Sequence, residues 1–200
     1  MRYLLAHDLG TSGDKVALFQ EDGKMIDSVI TPYETFYGDD GVREQDPSDW
    51  WRAVCEGTRQ LMQKIDPKDV AAISFGGMGH CCTCLDEQGN FLDRSILWSD
   101  VRSYREQEEL EQIIGAKRCY ETTGHKPSSS YTITKMMWMK KHKSEIYNKT
   151  YKVLTAKDVI VYKLTGRMCT DYSDASGYMA YNYRTKQWDR EMIEACGLKY

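Results

Sequence analysis

The chain has 200 residues, of which 41% are apolar and 28% charged, with 14 Tyr and 5 Trp. Those proportions fit one globular domain, or at most two small ones, and exclude a disordered tail or a fibrous repeat. The 27 basic and 30 acidic residues give a net charge of -3 and are spread along the chain, which argues against nucleic acid as the main partner. No apolar run approaches membrane-spanning length, so no membrane partner is expected.

The segment from Met1 to Asp8 turns polar too early for a secretory signal, which points to a cytoplasmic protein. Three strands open the chain: Tyr3 to His7, Lys15 to Phe19, and Met25 to Thr31 after the turn Glu21-Asp22-Gly23. Pro32 to Gly41 is polar and reads as a loop. Asp46 followed by Pro47 is a helix start, with the acid as cap and proline in the first turn. The helix then carries Trp51, Val54, Cys55, Thr58, Leu61 and Met62 at spacings of three and four, which predicts one buried face. Asp66-Pro67 ends it. Val70 to Phe75 has the length and apolarity of a buried strand and runs into Gly76-Gly77-Met78-Gly79. A strand over Cys81 to Leu85 turns at Glu87 to Asn90 and leads to Ile96-Leu97-Trp98. Ser103 to Ile114 predicts a surface helix, and Tyr131 to His142 a helix with Ile133, Met136 and Met139 on one side. Val153 to Thr155 is a short strand. Ala156 to Leu164 is a helix stopped by Gly166. Tyr178 to Tyr183 reads as a strand, and Arg190 to Cys196 as a last helix closed by Gly197. Strands first, then alternating helices, make an α/β pattern.

Seven cysteines without regular spacing are a poor disulfide framework. His80-Cys81-Cys82 and Cys84 invite a metal reading, but neighbours on a strand point to opposite faces, so packed structural thiols are the expectation. The stretch with the most chemistry is Asp8-Leu9-Gly10-Thr11-Ser12-Gly13-Asp14-Lys15, between two strands. Its glycines allow a tight turn, and its amides with the Thr11 and Ser12 hydroxyls can form a nest for phosphate oxygens. Asp8 could hold Mg²⁺ through water. A plain polar hairpin turn is the alternative reading. Asp100 and Arg102 follow Trp98: they could form a polar site beside the Trp98 ring face, or brace the loop as an ion pair.

The Asp8 to Ser12 turn resembles the first phosphate motif of the sugar kinase, actin and heat-shock chaperone superfamily. Within it, the chain resembles the N-terminal domain of the FGGY carbohydrate kinases from residue 1 to 200, most like the xylulokinase branch. Four further stretches carry the likeness in order. Glu44-Gln45-Asp46-Pro47-Ser48-Asp49-Trp50-Trp51 is similar to the lead-in to the family's first helix. Trp98-Ser99-Asp100-Val101-Arg102 is similar to its Trp-x-Asp-x-Arg segment. Ser130 to His142 fits its first signature pattern. Thr170 to Gly177 is similar to its Thr-Asp-x-Ser-x-Ala-Ser run. The full signature argues against an actin-like or chaperone-like ATPase.

The resemblance implies an actin-like ATPase (ribonuclease H-like) α/β fold, a mixed sheet with flanking helices. It implies phosphoryl transfer from ATP, with Mg²⁺, to the hydroxyl of a xylulose-like ketose or related polyol. On it, Asp8, Gly10, Thr11, Ser12 and Lys15 would serve phosphate and metal. Gly77, Met78, Gly79, His80, Trp98, Asp100 and Arg102 would serve the sugar. Xylulokinases place Met-His in the sugar loop and glycerol kinases Arg-Glu; here Met78 is followed by Gly79, with His80 displaced by one. Lys135, Trp138, Asp171 and Asp174 are expected to be structural. The family's catalytic base, in a Gly-Asp-Gln or Gly-Asp-Asn motif, and its C-terminal ATP-binding domain are expected beyond Tyr200. This segment alone is therefore expected to be inactive. The remaining domain of the same chain is an expected partner, and an edge strand with exposed aromatics would permit a homodimer. A sugar-binding or regulatory module that kept the fold without catalysis is the alternative.

Overall fold

The computed structural model describes residues 2–200. In chain order the elements are β1 (Tyr3–Leu9), β2 (Gly13–Gln20), β3 (Met25–Pro32), β4 (Phe36–Tyr37), β5 (Arg43–Gln45), α1 (Pro47–Leu61), β6 (Val70–Gly77), β7 (Thr83–Leu85) and β8 (Ser95–Ile96). There follow α2 (Tyr104–Ile114), α3 (Ala116–Thr123), α4 (Thr132–His142), α5 (Ser144–Lys149), β9 (Lys152–Leu154), α6 (Ala156–Thr165), α7 (Tyr172–Gly177), β10 (Tyr181–Asn182), β11 (Gln187–Trp188) and α8 (Arg190–Ala195). Among the described residues, no helix is long and apolar enough to cross a membrane.

The largest sheet has the order β3-β2-β1-β6. The first three strands pair antiparallel, and β6 joins β1 in parallel. This is the mixed sheet with flanking helices that the family resemblance implies. Leu5 and Leu9 alternate along β1 toward α1, whose Trp50, Ala53, Val54 and Leu61 fill the space above the sheet. Leu9, Trp50, Val54, Leu97, Val159 and Ile160 belong to one core, which α6 closes. A second core, with Leu110, Ile133, Met137, Met179 and Met192, joins α2, α4 and α8.

Asp46 caps α1 by accepting the Ser48 amide hydrogen, as predicted, and Gly166 closes α6 in a left-handed conformation. Several expectations need correction. The buried face of α1 is Trp50, Ala53, Val54, Gly57 and Leu61, while Trp51, Cys55, Thr58 and Met62 are half-buried. The helix is rotated because Gly57 lets it press onto β2, where an added Cβ would meet Val16 Cγ1 at 2.7 Å. Val70 to Phe75 is not a buried strand: Ala71 to Ser74 are exposed, because β6 lies at the sheet edge. The loop over Pro32 to Gly41 contains β4 and a 3-10 turn at Asp39–Gly41. The strand expected over Tyr178 to Tyr183 shrinks to β10, with Tyr178 finishing α7. Helices α3 and α5 were not anticipated.

One polar pair lies inside the sheet-helix layer. His7 Nδ1 sits 2.8 Å from Asp14 Oδ2, and both residues are buried. His7 Nε2 is 3.2 Å from Thr58 Oγ1, and the ring stacks on Phe75. Asp14 Oδ1 has no partner among the described residues. Removing one member of such a pair strands the other without solvent, while replacing both with apolar groups removes the problem. His7→Ala is therefore expected to cost about 3–5 kcal/mol in urea unfolding. The double variant His7→Ile with Asp14→Val should unfold within about 1 kcal/mol of wild type, or above it. A double variant as unstable as His7→Ala would contradict this reading of the pair.

Candidate active site

The C-terminal ends of β1 and β6 lie side by side, with Asp8 opposite Gly76 and Leu9 opposite Gly77. In parallel sheets this end collects ligands, because the chain leaves each strand there in loops whose amides remain free. The turn Gly10 to Ser12 leaves β1, and the loop Met78 to His80 leaves β6. The Met78 amide donates to the Leu9 carbonyl at 2.9 Å and ties the two together.

Side chains that the sequence reading did not assign to the site hold the first turn from behind. Gln45 Nε2 donates to the Thr11 carbonyl at 2.7 Å, and Gln45 Oε1 accepts from the Trp50 indole N–H at 2.8 Å. Tyr33 donates its hydroxyl to the Gly10 carbonyl. Gly10 N–H donates to the Gly13 carbonyl at 3.0 Å, which closes the turn on itself. Burial pushes the Tyr33 phenol far up, with the charges of Asp14, Cys81 and Asp8 adding to it, so the hydroxyl stays a donor at neutral pH. With its carbonyls tied back, the turn presents the exposed Thr11 and Ser12 outward. Asp8 and Lys15, register partners across β1 and β2, are exposed beside it. Among the described residues, the Asp8 carboxylate makes no hydrogen bond or ion pair. An exposed, uncommitted carboxylate next to a turn with free amides is a donor set that fits a hydrated Mg²⁺ and phosphate oxygens.

The second loop is held from below by a buried lysine. Lys135, on α4, is wholly inaccessible, and its Nζ donates to the His80 carbonyl at 3.1 Å and to the Ser130 carbonyl. Burial lowers its pKa to about 8, partly offset by the nearby Cys81, Cys82 and Asp100. His80 adopts a left-handed backbone, φ 62°, which a non-glycine residue keeps only when its surroundings enforce it. Its ring lies against Gly177 of α7, where an added Cβ would come within 2.2 Å of Cδ2. On its other side it meets Tyr131, with ring centroids 4.8 Å apart. Met78 is buried in the main core, whereas Gly77 is exposed and Gly79 half-exposed.

Asp100 and Arg102 are turned inward. Asp100 is fully buried and accepts from the Arg43 amide at 2.6 Å and the Arg102 amide at 3.0 Å. Arg102 Nη2 donates to Asp100 at 2.6 Å, Nη1 reaches Glu44 at 2.9 Å, and the guanidinium lies over the Trp138 ring. These contacts brace the loop between β8 and α2 against β5, as the ion-pair alternative describes. Trp98 keeps 44% of its surface exposed, so its ring face is open. Asp174 accepts from the Thr155 hydroxyl at 2.6 Å and pairs with Lys157 at 3.1 Å. Asp171 caps α7. Cys81, Cys82 and Cys84 pack in the interior, where burial pushes the Cys81 thiol up to about 12.

A sequence profile of the FGGY family of carbohydrate kinases, N-terminal domain, matches residues 3–200. The chain is 32% identical over 193 residues to the xylulose kinase of Staphylococcus xylosus, covering 96% of this chain and 40% of that protein. It is 34% identical over 191 residues to the xylulose kinase of Escherichia coli, covering 96% and 39%. The ligand-bound xylulose kinase structure from Lactobacillus acidophilus superposes with a TM-score of 0.93 at 31% identity, over 100% of this chain and 40% of that one. A gluconate kinase structure from the same species gives 0.93 at 31% identity, over 99% and 40%. The chain thus spans about 40% of the length of the relatives it matches.

The lysine under the second loop has a readable signature. Its folded pKa lies below the ordinary 10.5, so between about 8 and 10.5 the unfolded chain holds a proton that the folded one has released. Stability from this group therefore rises with pH across that window. Thermal melts of wild type and Lys135→Met from pH 7.5 upward are expected to show the wild-type advantage widening as pH rises. A constant gap would mean that Lys135 is not buried as described.

Proposed function

Because this chain belongs to the FGGY family of carbohydrate kinases, as an N-terminal domain, we propose that it forms the phosphate and sugar side of an ATP-dependent kinase. The acceptor is a xylulose-like ketose or related polyol. The observation that carries this is the juxtaposition at the ends of β1 and β6: the Gly10 to Ser12 turn and the Met78 to His80 loop, joined by one backbone hydrogen bond, can face two parts of one reacting pair. The xylulose kinases among the relatives supply the substrate class.

In this reading the sugar hydroxyl oxygen attacks the γ-phosphorus of ATP. The bond to the β–γ bridging oxygen breaks, ADP leaves, and the hydroxyl proton passes to a carboxylate base. The family resemblance assigns that base and the adenosine site to the part of the relatives that this chain does not span. Here, the amides and hydroxyls of Thr11 and Ser12 orient phosphate oxygens, and Lys15 adds positive charge beside them. Asp8 would hold Mg²⁺ through water, and the ion, when bound, would spread the phosphate charge. Gly77, Gly79, His80 and Trp98 form the sugar side. Asp100 and Arg102 act one layer behind, fixing the loop that carries Trp98. Residues 1–200 then make up the N-terminal sugar-kinase domain, completed by a C-terminal ATP-binding domain. Met1 lies outside the described residues.

Asp8→Asn removes the charge without disturbing a packed contact, so the melting temperature should stay close to wild type. In the full-length enzyme that contains this segment, sugar-dependent ADP release should fall by about 10²-fold or more. Wild-type turnover in that variant would contradict the assignment. The segment alone should give no sugar-dependent ADP release at ordinary enzyme rates, and turnover from it would overturn the placement of the base.

A further inference from the structure

Across the Tyr131 ring from His80 stands a second histidine. His125 follows the left-handed Gly124 that ends α3, and its ring centroid lies 4.9 Å from that of Tyr131. Its Nε2 is 2.6 Å from the Ser176 hydroxyl of α7, and its backbone N–H donates to Thr123 Oγ1 at 3.2 Å. The result is a three-ring layer, His80–Tyr131–His125, whose two ends both rest on α7: His80 against Gly177 and His125 against Ser176. All three rings are only half-buried. Among the described residues, the His80 imidazole makes no hydrogen bond, and His125 commits one of its two nitrogens.

We propose that His125 is a second sugar-contacting imidazole, presented with His80 on either side of Tyr131, and that the layer selects a neutral polyhydroxylated acceptor over a sugar acid. The inference rests on the kinase reading above and deepens its sugar side.

Three features support it. Half-buried imidazole nitrogens without partners are costly unless water or a ligand completes them, and a polyol carries hydroxyls that both donate and accept. The Tyr131 ring, packed against both imidazoles, fixes their separation and presents them as one unit. Burial also lowers the pKa of both histidines, assisted at His80 by the charge of Lys135, so both rings are neutral at pH 7. The nearby charges are engaged: Lys135 points at backbone carbonyls, and Lys157 pairs with Asp171 and Asp174. The layer therefore offers a carboxylate neutral imidazole hydrogen bonds but no cationic donor. Superposition does not separate these substrates, since a gluconate kinase and a xylulose kinase structure match this chain equally well.

The test is an equilibrium titration of the 200-residue chain with D-xylulose and with D-gluconate, followed by the imidazole ¹⁵N resonances. Wild type is expected to bind D-xylulose with shifts at both histidines, and D-gluconate more weakly. His125→Phe keeps a ring against Tyr131 but removes the nitrogens, and should weaken D-xylulose binding about fivefold, the worth of one net hydrogen bond. His125→Gln should recover part of the loss. D-xylulose affinity unchanged in His125→Phe but lost in His80→Phe would overturn the role of His125 and leave the kinase reading standing. Affinity unchanged in both variants, or no D-xylulose binding by wild type, would overturn the sugar-side assignment as well. D-gluconate binding as tight as D-xylulose would overturn the neutral-acceptor claim.

Discussion

The hydrogen-bonded junction of β1 with β6 positions everything that follows. Parallel pairing brings two chain exits to the same end of the sheet, and the bond from the Met78 amide to the Leu9 carbonyl continues the ladder one step past β6. One exit carries an acid, two hydroxyls and a glycine-rich turn. The other carries a histidine forced into a left-handed backbone. Antiparallel pairing, as between β1 and β2, would have sent the second exit to the far end of the sheet. The chemistry available to this domain therefore depends on a choice of strand direction.

Around that junction the domain uses buried polar groups as positioning devices. Trp50, Gln45 and the Thr11 carbonyl form one chain of hydrogen bonds, and Lys135 with the His80 carbonyl forms another. Each runs from the first or second core to a backbone oxygen in a loop. Fixing carbonyls from inside leaves amides and side chains free to face outward, which is the preorganisation that phosphoryl transfer requires. Arg102, held between Asp100 and Glu44 and stacked on Trp138, plays the same part for the loop that carries Trp98. The desolvation of these groups is a stability cost, and their geometry is what that cost secures.

Local signals in the sequence carried much of this. The Asp46-Pro47 start, the closing Gly166, the first three strands and the turn after Asp8 are each written in neighbouring residues, and the structure places them there. What depends on distant packing was not legible. The apolar run Val70 to Phe75 looks like an interior strand, but whether a strand has a neighbour on both sides is decided by the rest of the sheet. The buried face of α1 turns on Gly57, a residue that adds nothing to an apolar stripe and acts by letting Val16 approach. Asp100 and Arg102 stand two apart and look solvent-facing until Glu44 and Trp138 are brought over them. His125 belongs to no motif in the chain. Its role arises only when Tyr131 and Ser176 meet it, and a lone histidine after a Thr-Thr-Gly stretch gives no warning of that.

The proposed function requires the two exits to form one continuous site. Backbone-amide chemical-shift mapping, with D-xylulose and Mg·ATP added to the same sample, tests it most directly. Gly10 to Gly13 and Gly77 to His80 are expected to respond together as one contiguous patch at the ends of β1 and β6. The cavity of about 700 Å³ lined by Tyr147, Tyr178 and Trp188 should stay unperturbed. Shifts confined to that cavity, or absent from both exits, would contradict it.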